Sequence, residues 1–185
     1  MSFDSLIRSR KSVKEFKNRM PDWRDIIEAI DAARFAPMAG NNYTLKFIVV
    51  DDLEIIKKLA EYSQQDFVAQ TYYVVVVCSD HSRTVNAFGK QGEHYSTQQA
   101  GGAMQNFWLK LVEKGLSTCW VGHFVENLIK KELKIPEHVR IEALFPIGYE
   151  FKKSSEKKAK IELDNILYFN SYGDKKMRHP KKIEV

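Results

Sequence analysis

Arg10-Lys11-Ser12-Val13-Lys14 places three cations and a hydroxyl within five residues. Those groups suit a phosphate monoester, because charge-assisted hydrogen bonds to an anion are stronger than neutral ones. In an extended segment Arg10, Ser12 and Lys14 point the same way, since side chains alternate along such backbone. A solvated charge run has the same composition. A second candidate is Ala36-Pro37-Met38-Ala39-Gly40-Asn41-Asn42, a small-residue loop opening from the end of a helical pattern. Backbone of that kind can approach a flat ligand closely, and an asparagine amide offers both donor and acceptor. An isolated turn reads the same way.

Other chemistries lack their residues. Gly101-Gly102 lies within a helical pattern with no third glycine at the offset of a dinucleotide loop, and neither a Walker loop nor a GxSxG elbow occurs. His81, His94, His123, His138 and His179 form no HxxxH pair, and Cys78 and Cys119 form no CxxC. Cys119 and His123 are four apart, but Cys119 reads as strand, where that spacing does not converge. We therefore expect no metal site and buried structural cysteines, and we nominate no catalytic acid or base.

The elements that must position these residues follow from periodicity. Asp22 is a helix N-cap with Asp25 three residues on, followed by apolar Trp23, Ile26, Ile27 and Ile30; Pro37 ends the pattern. Lys46 to Val50 predicts a strand, Leu53 to Tyr62 an amphipathic helix, and Tyr72 to Cys78 a central strand buried on both faces. From about Tyr95 to Lys114, residues Ala100, Ala103, Met104, Phe107, Trp108, Leu111 and Val112 mark one buried helical face, stopped by Gly115. A strand at Thr118 to Val121, a helix at Asn127 to Leu133 and a strand at Ile141 to Ile147 complete the set. Pro146 argues for an edge or a bulge at the end of that last strand. The expected class is α+β, a mixed sheet flanked by helices.

Of 185 residues, 44% are hydrophobic and 12% aromatic, enough for a core; mean hydropathy is −0.40. No apolar run approaches the ~20 residues that span a bilayer. The N-terminus lacks the apolar stretch of a signal peptide, and two unspaced cysteines fit a reducing compartment, so a cytoplasmic protein is expected. Residues 1–151 carry 19 basic and 19 acidic residues, whereas 152–185 carry 10 and 5, which accounts for the net charge of +5. Such a basic tail could bind nucleic acid, be a solvated arm, or reach an anionic ligand.

The order of these segments resembles the nitroreductase family. The basic RKSVK stretch, the loop at 36–42 and the strand KFIVV come in that family's order. Gln99-Ala100-Gly101-Gly102-Ala103-Met104-Gln105-Asn106 matches its long central helix, Gly115 to Gly122 the strand after it, and Ala143 to Tyr149 its late strand. The resemblance covers roughly residues 3 to 168, taken as one FMN-binding domain (1–168) with a basic tail at 169–185. It implies an intertwined homodimer with FMN sites at the subunit interface. Arg10, Lys11, Ser12 and Lys14 would hold the FMN phosphate and ribityl chain, with Lys158 and Lys160 returning to that phosphate. Pro37, Met38, Ala39 and Asn41 of the other subunit would border the flavin, Gln65 would meet its pyrimidine edge, and Val121 and Gly122 would set backbone near N5. Met38 stands where a serine is common, Tyr43-Thr44-Leu45 replaces the usual Gln-Pro-Trp, and Lys160 replaces an arginine.

The implied activity is transfer of reducing equivalents from NADH or NADPH through FMN to an electron-poor acceptor such as a nitroaromatic or quinone. A flavin-dependent dehydrogenase or a flavin-processing enzyme of the same fold is the alternative within flavins. A basic nucleic-acid-binding module using residues 152–185 is the alternative of another class. The latter needs aromatics interleaved with the cations as stacking platforms, and Tyr168, Phe169 and Tyr172 lie between the two basic clusters.

Overall fold

A computed structural model of the chain describes residues 1–152 and 161–177. Residues 1–154 form one compact unit and 155–185 a second.

The first unit is built on four strands: β1 (Leu45–Val50), β2 (Tyr73–Ser79), β3 (Ser117–Thr118) and β4 (Arg140–Gly148), in the spatial order β1-β2-β4-β3. Their ladders are antiparallel, and a single parallel bridge from Ser12 to Thr118 adds the mixed element. All seven residues of β2 are buried, as its unbroken run of valines requires. Alternation splits them between two cores. Val75 and Val77 face α2 (Trp23–Ala33) and α5 (Gln91–Glu113), meeting Ile26, Ala103 and Phe107. Val74, Val76 and Cys78 face α3 (Leu53–Ser63) and α6 (Glu126–Leu133), meeting Ile56, Leu59 and Ile129. The sheet is thus sandwiched between two pairs of helices.

Local chemistry sets the helix ends. Asp22 accepts the Arg24 amide at 2.9 Å as the N-cap of α2, and Asp52 accepts those of Glu54 and Ile55 at the start of α3. Helix α2 stops at Ala33 rather than running to Pro37. Its last turn tightens into i→i+3 bonds from Arg34, Phe35 and Ala36. At the end of α5, Leu116 N–H donates to Leu111 and Gly115 N–H to Val112, with Gly115 at φ +74°, a Schellman stop. Two helices escaped the sequence reading: α1 (Phe3–Ser9), capped by Ser2, and α4 (Ser82–Phe88).

Pro146 lies neither on an outer strand nor at a bulge. β4 is flanked by β2 and β3, and the extra residue of its bulge is Glu142, between Ala143 (opposite Val77) and Ile141 (opposite Cys78). The proline is accommodated by its partner instead. Val121 and Leu144 exchange both backbone hydrogen bonds (3.0 and 2.9 Å), so by period two the N–H missing at residue 146 would have faced Cys119. The register is continuous from Ser117↔Gly148 and Thr118↔Ile147 to Val121↔Leu144, yet pairing lapses at Cys119 and Trp120. One proline therefore divides the expected strand at Thr118 to Val121 into β3 and an isolated bridge.

In the second unit, Leu163–Asn165 forms a short 3-10 turn. Tyr168 meets Tyr172 at a tilt of 50° (4.8 Å between ring centroids) and lies beneath the Lys175 ammonium (4.2 Å), and Phe169 N–H donates to the Asp174 carbonyl at 2.8 Å. No helix among the described residues is long and apolar enough to cross a membrane.

Candidate cofactor site

The N-terminal segment reaches the sheet through Ser12, which bridges Thr118 while Val13 N–H donates to Thr118 O at 3.0 Å. Gln70 Oε1 fixes the segment further along by accepting Phe16 N–H (3.0 Å). Val13 and Phe16 are buried, leaving Ser12 and Lys14 exposed on the alternate side. Both lie beside buried Cys119: burial pushes its thiol up, while a hydrogen bond with Ser12 and the charge of Lys14 pull it down. The Lys14 ammonium sits 5.7 Å from the Phe67 ring centroid and has no carboxylate partner among the described residues.

Arg10 departs from that alternation. It is the C-cap of α1, and its guanidinium stacks 4.5 Å from the Trp108 ring centroid rather than beside Ser12. It too lacks a carboxylate partner among the described residues. Lys11 is committed, with Nζ 2.6 Å from Glu150 Oε1. Gln65 precedes the 3-10 turn Asp66–Gln70, whose Phe67 ring lies under the Lys14 ammonium. Val121 spends its amide and carbonyl on Leu144, whereas the amide of exposed Gly122 has no hydrogen-bond partner among the described residues. Lys158 and Lys160 lie outside the described residues.

The loop containing Pro37, Met38, Ala39 and Asn41 lies elsewhere. Thr44, two residues beyond it, accepts the Asp80 amide (2.9 Å) at the Ser79 end of β2. Ser12 instead meets Thr118, whose partner Ile147 pairs with Tyr73 at the opposite end. Six residue steps of β2 separate those ends, about 20 Å. Helix α5 gives a second measure: the loop is tied to Gln99, and Arg10 to Trp108, nine residues or about 13 Å along its axis. The cation segment thus sits at one end of the sheet and the loop at the other, while Val121, opposite Leu144 and so level with Val76, sets Gly122 near the middle of β2.

The loop has supports that sequence reasoning passed over. Buried Gln99 accepts Thr44 N–H at 2.9 Å and Thr44 Oγ1–H at 2.7 Å, and donates to Asn42 O at 3.4 Å. Gly40 takes φ +56°, and a Cβ there would lie 2.8 Å from the Phe88 ring. Phe88 meets Tyr95 edge-on at 5.4 Å. A partly buried polar trio also closes this end: Ser79 Oγ donates to Glu142 and lies 2.7 Å from His81 Nε2. No spacing rule finds that trio, because the Glu142 bulge creates it.

Comparison with known proteins places the fold. A protein of Archaeoglobus fulgidus, provisionally named NADH dehydrogenase/NAD(P)H nitroreductase, is 28% identical over 149 residues, covering 78% of this chain and 83% of its own. A nitroreductase family protein from Clostridium novyi NT superimposes with a TM-score of 0.75 at 29% identity, over 94% of this chain and 96% of that one. An FMN-dependent nitroreductase from Clostridium difficile R20291 has the same fold at TM-score 0.78 and 21% identity, over 92% of this chain and 100% of that one. Residues 7–149 match the model of the nitroreductase family. That match runs from the end of α1 to the residue after β4, and the chain belongs to the nitroreductase family.

Proposed function

We propose that this protein is a cytoplasmic, homodimeric, FMN-dependent oxidoreductase that draws on NADH or NADPH and reduces an electron-poor acceptor such as a nitroaromatic or quinone. The observation carrying this reading is the N-terminal cation segment, where Ser12 and Lys14 are both exposed and neither Lys14 nor Arg10 has a carboxylate partner among the described residues. Charge without a carboxylate partner among the described residues, beside a hydroxyl, suits an anionic group, and the Gly122 amide, also without a partner among the described residues, is available to a hydrogen-bonding ring. The donor set therefore fits FMN.

When bound, FMN supplies the redox chemistry, taking hydride from the nicotinamide and passing electrons on. The chain's own part is binding, orientation and exclusion of water. Ser12, Lys14 and Arg10 address the phosphate, with Lys11, Lys158 and Lys160 adding charge. The Gly122 amide and its neighbour Val121 address the ring, and Gln65 its pyrimidine edge. Pro37, Met38, Ala39 and Asn41 would cover the ring from a second copy, since their own subunit carries them about 20 Å from its cation segment. Phe3 (72% exposed) and Phe35 (68% exposed) form, with Leu6 and Leu109, an exposed apolar patch rimmed by Glu28, Asp31, Lys110 and Glu113, a surface suited to a second copy.

Fluorescence titration of purified protein with FMN and riboflavin tests the reading. FMN should bind at micromolar concentration or below and more tightly than riboflavin, which lacks the phosphate. The loaded protein should oxidise NADH or NADPH when a quinone or nitroaromatic is supplied. Absence of FMN binding at micromolar concentrations removes the proposal.

A further inference from the structure

The backbone at Gly40 and Asn41 takes two successive left-handed conformations, φ +56° and +57°. For asparagine such a conformation is tolerated rather than favoured, so surrounding contacts must hold it. The contacts come from α5. Gln99, 4% exposed, uses one carboxamide on both sides of the segment that follows: its oxygen takes the amide and hydroxyl of Thr44, and its nitrogen reaches the carbonyl of Asn42. Against the loop's other face, the Phe88 ring occupies the space a Cβ at Gly40 would need. α4 is itself fastened to α5 by a buried Thr84–Ser96 hydroxyl contact of 2.8 Å and by Gly92, whose missing Cβ would fall 2.3 Å from the Thr84 backbone. Loop, α4 and α5 make one block, and Gln99 is its only member bonded to both Asn42 and Thr44 among the described residues.

We propose that Gln99 is a positioning residue: through Asn42 and Thr44 it sets the conformation in which Met38 to Asn41 meet the flavin ring, without touching the cofactor. The inference rests on the FMN reading above. It traces the shape of the ring-side contact to a buried side chain that belongs to none of the proposed ligand-binding positions. It also separates two kinds of loss. Damage at Lys14 acts on the phosphate and spares riboflavin, whereas damage at Gln99 acts on the ring side and reaches FMN and riboflavin alike.

Two substitutions test this. Gln99→Met keeps the side chain's length and apolar stem but removes its hydrogen bonds. Gln99→Glu keeps the acceptor for Thr44 and loses the donor to Asn42. For each folded variant, FMN and riboflavin affinities, KM and kcat with a quinone acceptor, and amide exchange of residues 39–44 in the flavin-free protein are measured. We expect FMN and riboflavin to weaken by the same factor as each other in each variant, about threefold to tenfold for Gln99→Glu, the range for one lost neutral hydrogen bond, and by more for Gln99→Met, which loses all three. Acceptor KM should rise more than kcat falls. The Thr44 amide should exchange faster in Gln99→Met and remain protected in Gln99→Glu. Folded variants with unchanged flavin affinities would overturn the inference, whatever the exchange at Thr44. A wild-type protein that binds neither flavin would instead sink the FMN reading, and exchange at Thr44 would still decide whether Gln99 holds the loop.

Discussion

The two ends of the sheet are held together by different physics. At the Tyr73 end, the N-terminal segment presents exposed charge, with Lys14 over Phe67, Arg10 over Trp108 and Ser12 beside a buried thiol. At the Ser79 end, the loop at 37–44 is fixed by neutral, mostly buried contacts: the Gln99 carboxamide, the Phe88 ring and the Thr84–Ser96 pair. Exposed charges are screened by salt and tolerate movement of their long side chains, whereas buried hydrogen bonds are short-ranged and fail with small displacements. A ligand bridging the two in a dimer would draw affinity from one end and shape from the other.

The contrast can be broken most severely at Gly92. A methyl group there overlaps the backbone of Thr84 and Val85, at 2.3 to 2.4 Å, with no flexible side chain to give way. We expect Gly92→Ala to cost about 3 kcal/mol or more, at the upper end of overpacking, and to free α4 from α5. Urea denaturation reads the loss, and amide exchange should place it in residues 82–100 while residues 10–16 keep their protection. Uniform loosening of both regions would erase the distinction between the two ends.

A smaller effect sharpens it. Lys14→Ala should weaken FMN by about 1–3 kcal/mol, the range for a hydrogen bond to a charged group, leave riboflavin nearly unchanged, and flatten the salt dependence of FMN binding. If Lys160 addresses the same phosphate, its alanine variant behaves alike, and the two losses combine non-additively. A Lys160→Ala protein with unaltered FMN affinity would detach the tail from the site and return residues 152–185 to the nucleic-acid reading.

The smallest effect is electrostatic and falls at the neutral end. Asp80 is held below the usual carboxylate range chiefly by the hydroxyl and amide of Ser82 at the start of α4. A carboxyl depressed by folding stabilises the native state above its unfolded value of 3.8, and the contribution disappears as pH falls through its folded value. The side chain is 40% exposed, so water screens the contact to under about 1 kcal/mol. Acid unfolding of Ser82→Ala should begin at a slightly higher pH than that of wild type. Identical midpoints would show that Asp80 contributes nothing there.

Sequence carried those parts of the fold that depend on near neighbours. The Asp22 cap, the valine run of β2, the Ala100-to-Leu111 face of α5 and the Gly115 stop all follow from residues a few positions apart, and all occur. What it missed needs partners distant in sequence. The gap in pairing at Cys119 and Trp120 is imposed by Pro146, and the Ser79–His81–Glu142 trio by a bulge opposite β2. The parallel aim of Arg10, Ser12 and Lys14 fails at Arg10 because a short helix, hidden in a polar stretch, ends there. Ser12 and Lys14, beyond that helix, keep the alternation. Gln99 was legible as part of a family motif, but its grip on Asn42 and Thr44 emerges only once α5 lies under the loop.

The proline in β4 also bears on how this sheet behaves toward other chains. A long, regular outer strand offers a ladder of unpaired amides and carbonyls on which a foreign strand can grow, the usual start of aggregation. Here the outer strand on that side is two residues long, is already met at Thr118 by the Ser12–Val13 segment, and is followed by two positions where pairing lapses. An intruding strand would find no continuous template beyond Thr118. Replacing Pro146 by valine restores the missing donor and invites Ser117 to Val121 to become one unbroken strand, a longer edge and a better seed for ordered assembly.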